Sequence, residues 1–103
     1  MTILIVEDDQ FIKDIYTDEL IKNGFQVDSV GTGKEGLDKL SQNKYDLLLL
    51  DIMLPDINGL EILKQVKQNP ATKSLKTILL TNLGQDEIIQ QGFELGANKC
   101  LRG

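Results

Sequence analysis

The chain has 103 residues, and its 11 Lys and Arg against 16 Asp and Glu give a formal net charge of −5, which suits one globular domain, residues 1–103, and argues against a nucleic-acid surface. With no histidine and a single cysteine, Cys100, it lacks the ligands of a typical zinc site and any Ser-His or Cys-His catalytic pair. No apolar run is long enough to span a bilayer and no signal-peptide pattern is present, so we expect a cytoplasmic protein without a membrane anchor.

The apolar residues predict short strands alternating with helices along the whole chain. Runs of β-branched residues or leucines indicate strands, and apolar residues recurring every three or four positions indicate helices. The expected strands cover 1–6, 25–30, 46–51, 77–81 and 100–101, and the expected helices begin at Gln10, Thr32-Gly33, Asn58-Gly59 and Asp86. The expected apolar face of the first helix consists of Phe11, Ile12, Ile15, Tyr16 and Leu20.

The alternation of strand and helix predicts a doubly wound α/β fold with a parallel sheet. Strands separated by helices pair in parallel through right-handed crossovers, and helices cover both faces. Ligands of such sheets bind beyond the carboxyl ends of the strands. The polar residues expected at that edge are Glu7, Asp8 and Asp9 after the first strand, Asp51 at the end of the third and Thr81 at the end of the fourth.

These acidic residues predict a cation site. Neighbouring carboxylates repel one another, and a bound cation removes that repulsion. In the absence of histidine, oxygen ligands favour Mg²⁺, which leaves room for a phosphate. Acidic residues after strands also cap helices, and we favour that structural role for Asp9. Asp51 follows a leucine-only strand and precedes a proline turn, so we favour a functional role there.

Taken together and in order, the motifs resemble the receiver domain of two-component response regulators over essentially the whole chain. They are Ile3 to Asp9, Asp51-x-x-x-Pro55-x-x-x-Gly59, Ile78 to Thr81 and Gly96-Ala97. The resemblance implies a flavodoxin-like fold with five strands in the order 2-1-3-4-5. It implies a signalling domain, not a conventional enzyme, that takes a phosphoryl group from a sensor histidine kinase or a histidine phosphotransfer protein. The implied output is contact with a downstream protein partner.

The resemblance also assigns roles to individual residues by position. Asp51 corresponds to the phosphoacceptor, and Thr81 to the hydroxyl that turns toward the phosphoryl group. Asp8 and Asp51 correspond to direct ligands of Mg²⁺. Glu7 corresponds to a ligand acting through water, and the backbone carbonyl of Met53 to a further ligand.

The C-terminal segment departs from the family pattern. Cys100 stands where the family has an aromatic switch residue, and Gly103 stands where it has a lysine that pairs with phosphoryl oxygens. Arg102 is expected to face the other side of the sheet, and Lys99, at the start of the strand, is a weak substitute. The final helix of the fold is missing from the sequence. We therefore expect impaired switching and an uncovered apolar face, which predicts self-association, a second chain that covers the face, or marginal stability.

Two other functions stay open. The missing lysine, aromatic residue and helix would also suit a pseudo-receiver or structural fragment that associates through the uncovered face. A Mg²⁺-dependent phosphohydrolase using Asp51 as nucleophile is less favoured. Such enzymes commonly carry a second acid two residues later, and this chain has Met53 there.

Overall fold

Strands and helices alternate along the residues that the structure describes. The computed structural model describes residues 1–81 and 86–102, with only the backbone described at 81, 86–89 and 100–102. The strands are β1 (Thr2–Val6), β2 (Gln26–Val30), β3 (Leu47–Asp51), β4 (Lys76–Thr81) and β5 (Lys99–Arg102), and the helices are α1 (Gln10–Lys22), α2 (Gly33–Gln42), α3 (Gly59–Gln68) and α4 (Asp86–Glu94). Each predicted boundary lies within one residue of the observed one. Among these helices none is long and apolar enough to cross a membrane.

The strands form one parallel sheet. Their order is β2-β1-β3-β4-β5, which confirms the predicted α/β fold and the predicted order of the first four strands. β5 adds to the sheet by pairing Cys100 with Leu79 of β4. Because the chain goes from β1 outward to β2 and then returns to β3 on the other side of β1, the order reverses between β1 and β3. The carboxyl ends of these two strands are where a doubly wound sheet places its ligand.

Apolar side chains are buried on both faces of the sheet. Successive residues of a strand point to opposite faces, so the leucine-only β3 contributes to both cores. On one face, under α2 and α3, the buried core includes Leu4, Val6, Leu48, Leu50, Ile62, Leu63 and Leu79. On the other face, Ile3, Ile5 and Leu49 are buried, with Tyr16 and Leu20 of α1 packed against them. The two cores hold the ends of β1 and β3 in place.

α1 contacts the sheet along a narrower stripe than its sequence pattern predicted. Tyr16 and Leu20 pack on the core, but Phe11 is 74% exposed and Ile15 is 52% exposed. The prediction of a core-facing role was wrong for these two residues. Each lies one position before a residue of the Ile12, Tyr16, Leu20 series, which is about 100° around the helix.

The most exposed apolar side chains near the sheet face under α1 lie on α1 itself. The strand residues Leu49 and Leu80 are only 4% and 6% exposed. These two positions are covered, whereas Ile78 on the same face is only half-buried, so the uncovered sheet face expected from the sequence stays a prediction. Exposed apolar surface is contributed by Phe11 and Ile15.

The burial pattern predicts a large difference between two chemically identical substitutions. Ile62 of α3 is fully buried, so Ile62→Ala should lower the free energy of unfolding by about 2 to 5 kcal/mol. Ile15→Ala, on the exposed side of α1, should cost less than about 1 kcal/mol. Urea denaturation of both variants measures the difference. Similar losses would show that Ile15 is covered in solution.

Candidate functional site

Three carboxylates meet at the carboxyl edge of the sheet between β1 and β3. Glu7 and Asp8 follow β1 directly, and Asp51 is the last residue of β3. Val6 is opposite Leu50 in the parallel register, so Glu7 and Asp51, which follow these two residues, lie at the same edge of the sheet. One carboxylate oxygen from each of the three residues lies within 4.8 Å of the others. The structure therefore brings together three of the residues that the sequence singled out.

The three carboxylates differ in exposure, and burial shifts the pKa of the two that are withdrawn from water, Glu7 and Asp51. Glu7 is only 4% exposed, Asp51 is half-buried and Asp8 is exposed. Burial raises the pKa of Asp51 to about 7, and the negative charge of Glu7 adds to this effect. Burial also raises the pKa of Glu7, although its Oε1 accepts a hydrogen bond from the Asp9 N–H at 3.0 Å. With all three groups ionised the site is unfavourable until a proton or a cation neutralises it.

The loop after β3 contacts both the side chain and the backbone of Asp51. The Met53 N–H donates to Asp51 Oδ1 at 3.3 Å, and the Gly59 N–H donates to the carbonyl of Ile52 at 2.8 Å. The start of α3 therefore lies directly against the end of β3. A Cβ at position 59 would collide with the carbonyl oxygen of Asp51. This contact explains why the loop ends in a glycine.

The donor set suits a hard cation. All three side chains offer oxygen atoms, and Mg²⁺ is typically held by one or two carboxylates together with waters and phosphate oxygens. The exposed Asp8 and half-buried Asp51 leave one side of the cluster open to such ligands. The residues present therefore fit Mg²⁺.

The remaining predicted site residues are Asp9, Met53 and Thr81. Asp9 caps α1, since its Oδ1 accepts the Phe11 and Ile12 N–H groups at 2.9 and 3.1 Å, and its predicted structural role is confirmed. The side chain of Met53 is 56% exposed, beside Asp51. Thr81 ends β4 opposite Arg102, but its side chain lies outside the described part of the chain.

The position of Lys99 in β5 shows whether it could replace the lysine of the family pattern. Lys99 begins β5 opposite Ile78, whereas Asp51 is opposite Leu80, two residues further toward the carboxyl edge. Lys99 therefore lies toward the wrong end of the sheet to replace a lysine at the acidic cluster. The side chain of Cys100 and the whole of Gly103 lie outside the described residues.

Sequence reasoning missed Asp56, in the loop between β3 and α3. Its carboxylate accepts hydrogen bonds from the first two N–H groups of α2, at Gly33 and Lys34. A cap normally precedes its helix by one residue, whereas Asp56 lies more than twenty positions beyond this one. The only local signal was its place after Pro55 in a loop beside the acidic site.

Comparison with known proteins defines the class of this domain. Residues 3–102 match the response regulator receiver domain family. The chain belongs to this family, and the resemblance found in the sequence is confirmed. Receiver domains are signalling domains of two-component systems, distinct from conventional enzymes, that bind Mg²⁺ in an acidic pocket. Response regulators act together with sensor histidine kinases.

Individual relatives match over nearly the whole chain. It is 41% identical over 101 residues to the transcriptional regulatory protein CusR of Escherichia coli (strain K12), covering 98% of this chain and 44% of CusR. It is 51% identical over 99 residues to the response regulator ArlR of Staphylococcus saprophyticus, covering 96% of this chain and 44% of ArlR. The chain thus spans less than half the length of these relatives.

A solved structure shows the same fold. The response regulator receiver domain protein of Methanospirillum hungatei superposes with a TM-score of 0.91 at 32% sequence identity. The match covers 98% of this chain and 79% of that one. The arrangement of sheet, helices and acidic edge described above is therefore that of a flavodoxin-like receiver domain.

The contact at Gly59 predicts that a single added methyl group disrupts the loop. Gly59→Ala should lower the free energy of unfolding by about 1 to 3 kcal/mol, because its Cβ meets the Asp51 backbone. Gly31→Ala is the matched control: its Cβ would meet only the Lys13 ammonium at 3.6 Å, an ordinary contact. We expect the control to change stability by less than about 1 kcal/mol. Equal losses measured by urea denaturation would contradict the proposed contact.

The raised pKa of Asp51 predicts how stability depends on pH without divalent cations. The folded state holds the Asp51 proton up to a pKa of about 7, whereas the unfolded chain releases it near pH 4. This contribution is therefore present below about pH 4 and is lost as the pH rises toward 7. Asp51→Asn does not bind this proton, so its free energy of unfolding should not fall in this way. Relative to the wild type, its free energy of unfolding should rise by about 1 to 2 kcal/mol between these pH values, after allowance for solvent screening.

Urea denaturation in a chelating buffer measures this difference. Asp38→Asn, an exposed carboxylate on α2, is the control and should follow the wild-type curve. Parallel pH curves for the wild type and Asp51→Asn would show that Asp51 does not carry the raised pKa.

Proposed function

We propose that residues 1–103 act as a phosphoaccepting receiver domain with Asp51 as the phosphoacceptor. The observation that carries this proposal is the position of Asp51 at the end of β3, with oxygens of Glu7 and Asp8 within 4.8 Å. Membership of the receiver family supports it. Asp51 is also half-buried, so its carboxylate is held in place and still open to a donor on one side.

In the proposed reaction the chain's own groups position the nucleophile. Asp8 and Asp51 would hold Mg²⁺ directly, Glu7 would act through water, and the Met53 carbonyl would be a further ligand. When bound, the ion would neutralise the carboxylates and the phosphoryl oxygens. The Met53 N–H holds Asp51 Oδ1, which leaves Oδ2 for attack on phosphorus. A bond forms from this oxygen to phosphorus as the bond from phosphorus to the donor histidine nitrogen breaks.

Phosphorylation is proposed to change the loop after β4. The aspartyl phosphate carries more negative charge and more hydrogen-bond acceptors than the free carboxylate, so a nearby hydroxyl can move to bond it. Thr81 follows Leu80, which lies opposite Asp51 in the sheet, and is the proposed hydroxyl. Gly103, at the lysine position, supplies no ammonium. We therefore propose that the chain accepts a phosphoryl group, catalyses its own dephosphorylation and relays the signal weakly.

The proposed partners are proteins. A sensor histidine kinase or a histidine phosphotransfer protein would donate the phosphoryl group, and a downstream protein would read the phosphorylated state. The net charge of −5 disfavours nucleic acid as a direct partner of this domain. CusR is named as a transcriptional regulatory protein, so control of transcription through a further domain or partner is a consistent output. We propose a cytoplasmic location with no membrane contact.

A second candidate is a pseudo-receiver with a structural role and no phosphorylation cycle. The exposed Phe11 and Ile15 on α1 favour it, because exposed apolar groups suit association with a second copy. Cys100 and Gly103 at the two switch positions also favour it. The third function considered, a phosphohydrolase, has no acid at position 53 to support it.

Phosphorylation of Asp51 can be tested by intact-mass spectrometry. The purified protein is incubated with Mg²⁺ and acetyl phosphate, and we expect a mass gain of one phosphoryl group. Asp51→Asn should show no gain, because its amide cannot form the acyl phosphate. Asp38→Asn, an exposed site on α2, should gain mass like the wild type.

The opposite results separate the two candidates. A gain that persists in Asp51→Asn would place the modification elsewhere. No gain in folded wild-type protein that binds Mg²⁺ would exclude the phosphoaccepting function and favour the pseudo-receiver.

A further inference from the structure

The loop that follows Asp51 is joined to α2 through Asp56. Asp56 Oδ1 accepts the Gly33 N–H at 2.8 Å, and Oδ2 accepts the Lys34 N–H at 2.9 Å. These two hydrogen bonds lower the pKa of the Asp56 carboxyl, so it is ionised at neutral pH. A carboxylate at the amino end of a helix is also favoured by the helix dipole. The two segments joined here are more than twenty residues apart in the sequence.

Asp56 completes the amino end of α2. The first N–H groups of a helix have no partner within the helix and need acceptors from elsewhere. Thr32, the residue before α2, accepts the Glu35 N–H on its Oγ1 at 3.2 Å and the Gly36 N–H on its carbonyl at 3.1 Å. The first two groups, at Gly33 and Lys34, are left to Asp56. The helix is therefore capped by Thr32, which directly precedes it, and by Asp56 in the loop after β3.

The contact between the loop and α2 is close as well as polar. A Cβ at Gly33 would lie 2.7 Å from Ile62 Cδ1, 3.1 Å from Ile57 Cβ and 3.3 Å from Asp56 Oδ1. No larger side chain fits between the helix and the loop without movement. α2 thus fixes the position of Asp56, and through it the tip of the loop.

The other end of the same loop carries Met53, which contacts Asp51 and whose carbonyl is a proposed Mg²⁺ ligand. Met53 follows Asp51 by two residues and donates its N–H to Asp51 Oδ1. The loop is closed where the Gly59 N–H meets the Ile52 carbonyl. Between these points the tip has Asp56 as its link to α2. Release of this link would leave the middle of the loop held only by the packing of Leu54 and Ile57 against the core.

We propose that Asp56 is a positioning residue of the phosphoacceptor site, which holds the backbone around Met53 in place by capping α2. The proposal rests on the proposed function of Asp51. A merely stabilising role makes a different prediction. If Asp56 positions the site, its loss should change the site around Asp51 more than another substitution that destabilises α2 by the same amount. Asp56 touches neither the phosphoryl donor nor Asp51 in this assignment.

Two capping variants of the same helix make the test. Asp56→Ala removes the acceptors that come from the loop, whereas Thr32→Ala removes a local acceptor and leaves the loop attached. Asp56→Asn retains one acceptor oxygen and should fall between wild type and Asp56→Ala. Urea denaturation gives the stability of each variant, so that effects on the site are compared between proteins that are folded.

The readouts are the Mg²⁺ dissociation constant, the Met53 amide chemical shift and the rate of phosphorylation by acetyl phosphate. Magnesium binding is followed by NMR with Mg²⁺ alone. For Asp56→Ala we expect weaker Mg²⁺ binding, slower phosphorylation by roughly tenfold and a shifted Met53 amide. For Thr32→Ala we expect Mg²⁺ binding and rate within about twofold of wild type.

Equal effects of Asp56→Ala and Thr32→Ala on the site, or no effect of Asp56→Ala, would overturn the proposal. If wild-type protein is not phosphorylated, the proposed function fails, and the Mg²⁺ titration and the Met53 amide still decide the role of Asp56. Unchanged Mg²⁺ binding and an unchanged amide in Asp56→Ala would then overturn the positioning role as well.

Discussion

Repulsion among three carboxylates at one edge of the sheet is the constraint on which this domain depends. Glu7 and Asp51 are withdrawn from water, and oxygens of both lie within 4.8 Å of Asp8. Burial holds the pKa of Asp51 near 7, so the fully ionised cluster opposes folding. A cation relieves this cost directly. The same repulsion that weakens the isolated domain therefore favours the binding of a hard cation such as Mg²⁺.

The rest of the fold keeps these charges in place. Leu4, Val6 and Leu50, in the strands that carry the cluster, have no exposed surface, and close-packed interiors have low compressibility. Gly59 lets α3 start against the Asp51 backbone. Asp56 links the loop after β3 to α2 through a hydrogen bond. The carboxylates therefore stand on a rigid base, while their ligand side remains open.

The sequence predicted those features that depend on neighbouring residues. Strand and helix periods located every described element, and Asp9 was correctly predicted as a helix cap. The acidic edge was predicted because parallel strands end together and because Glu7 and Asp51 each end a buried run.

The features that were missed depend on contacts between distant segments. Helical spacing alone could not show that Phe11 and Ile15 lie beside the packed stripe of α1 and not within it. No local pattern pairs Asp56 with Gly33, because their contact exists only after β3 and α2 have packed in the folded domain. The pKa of Asp51 likewise depends on burial, which the spacing of residues does not give.

Calorimetric titration with Mg²⁺ at about pH 7, in two buffers of different ionisation enthalpy, tests the acidic cluster most directly. Binding of a cation should displace the proton that burial keeps on Asp51, so the account predicts one binding site with net proton release. Asp51→Asn should lose both the proton release and most of the affinity. Binding without proton release would contradict the proton held on Asp51. Binding that persists unchanged in Asp51→Asn would contradict the claim that Glu7, Asp8 and Asp51 form one cation site.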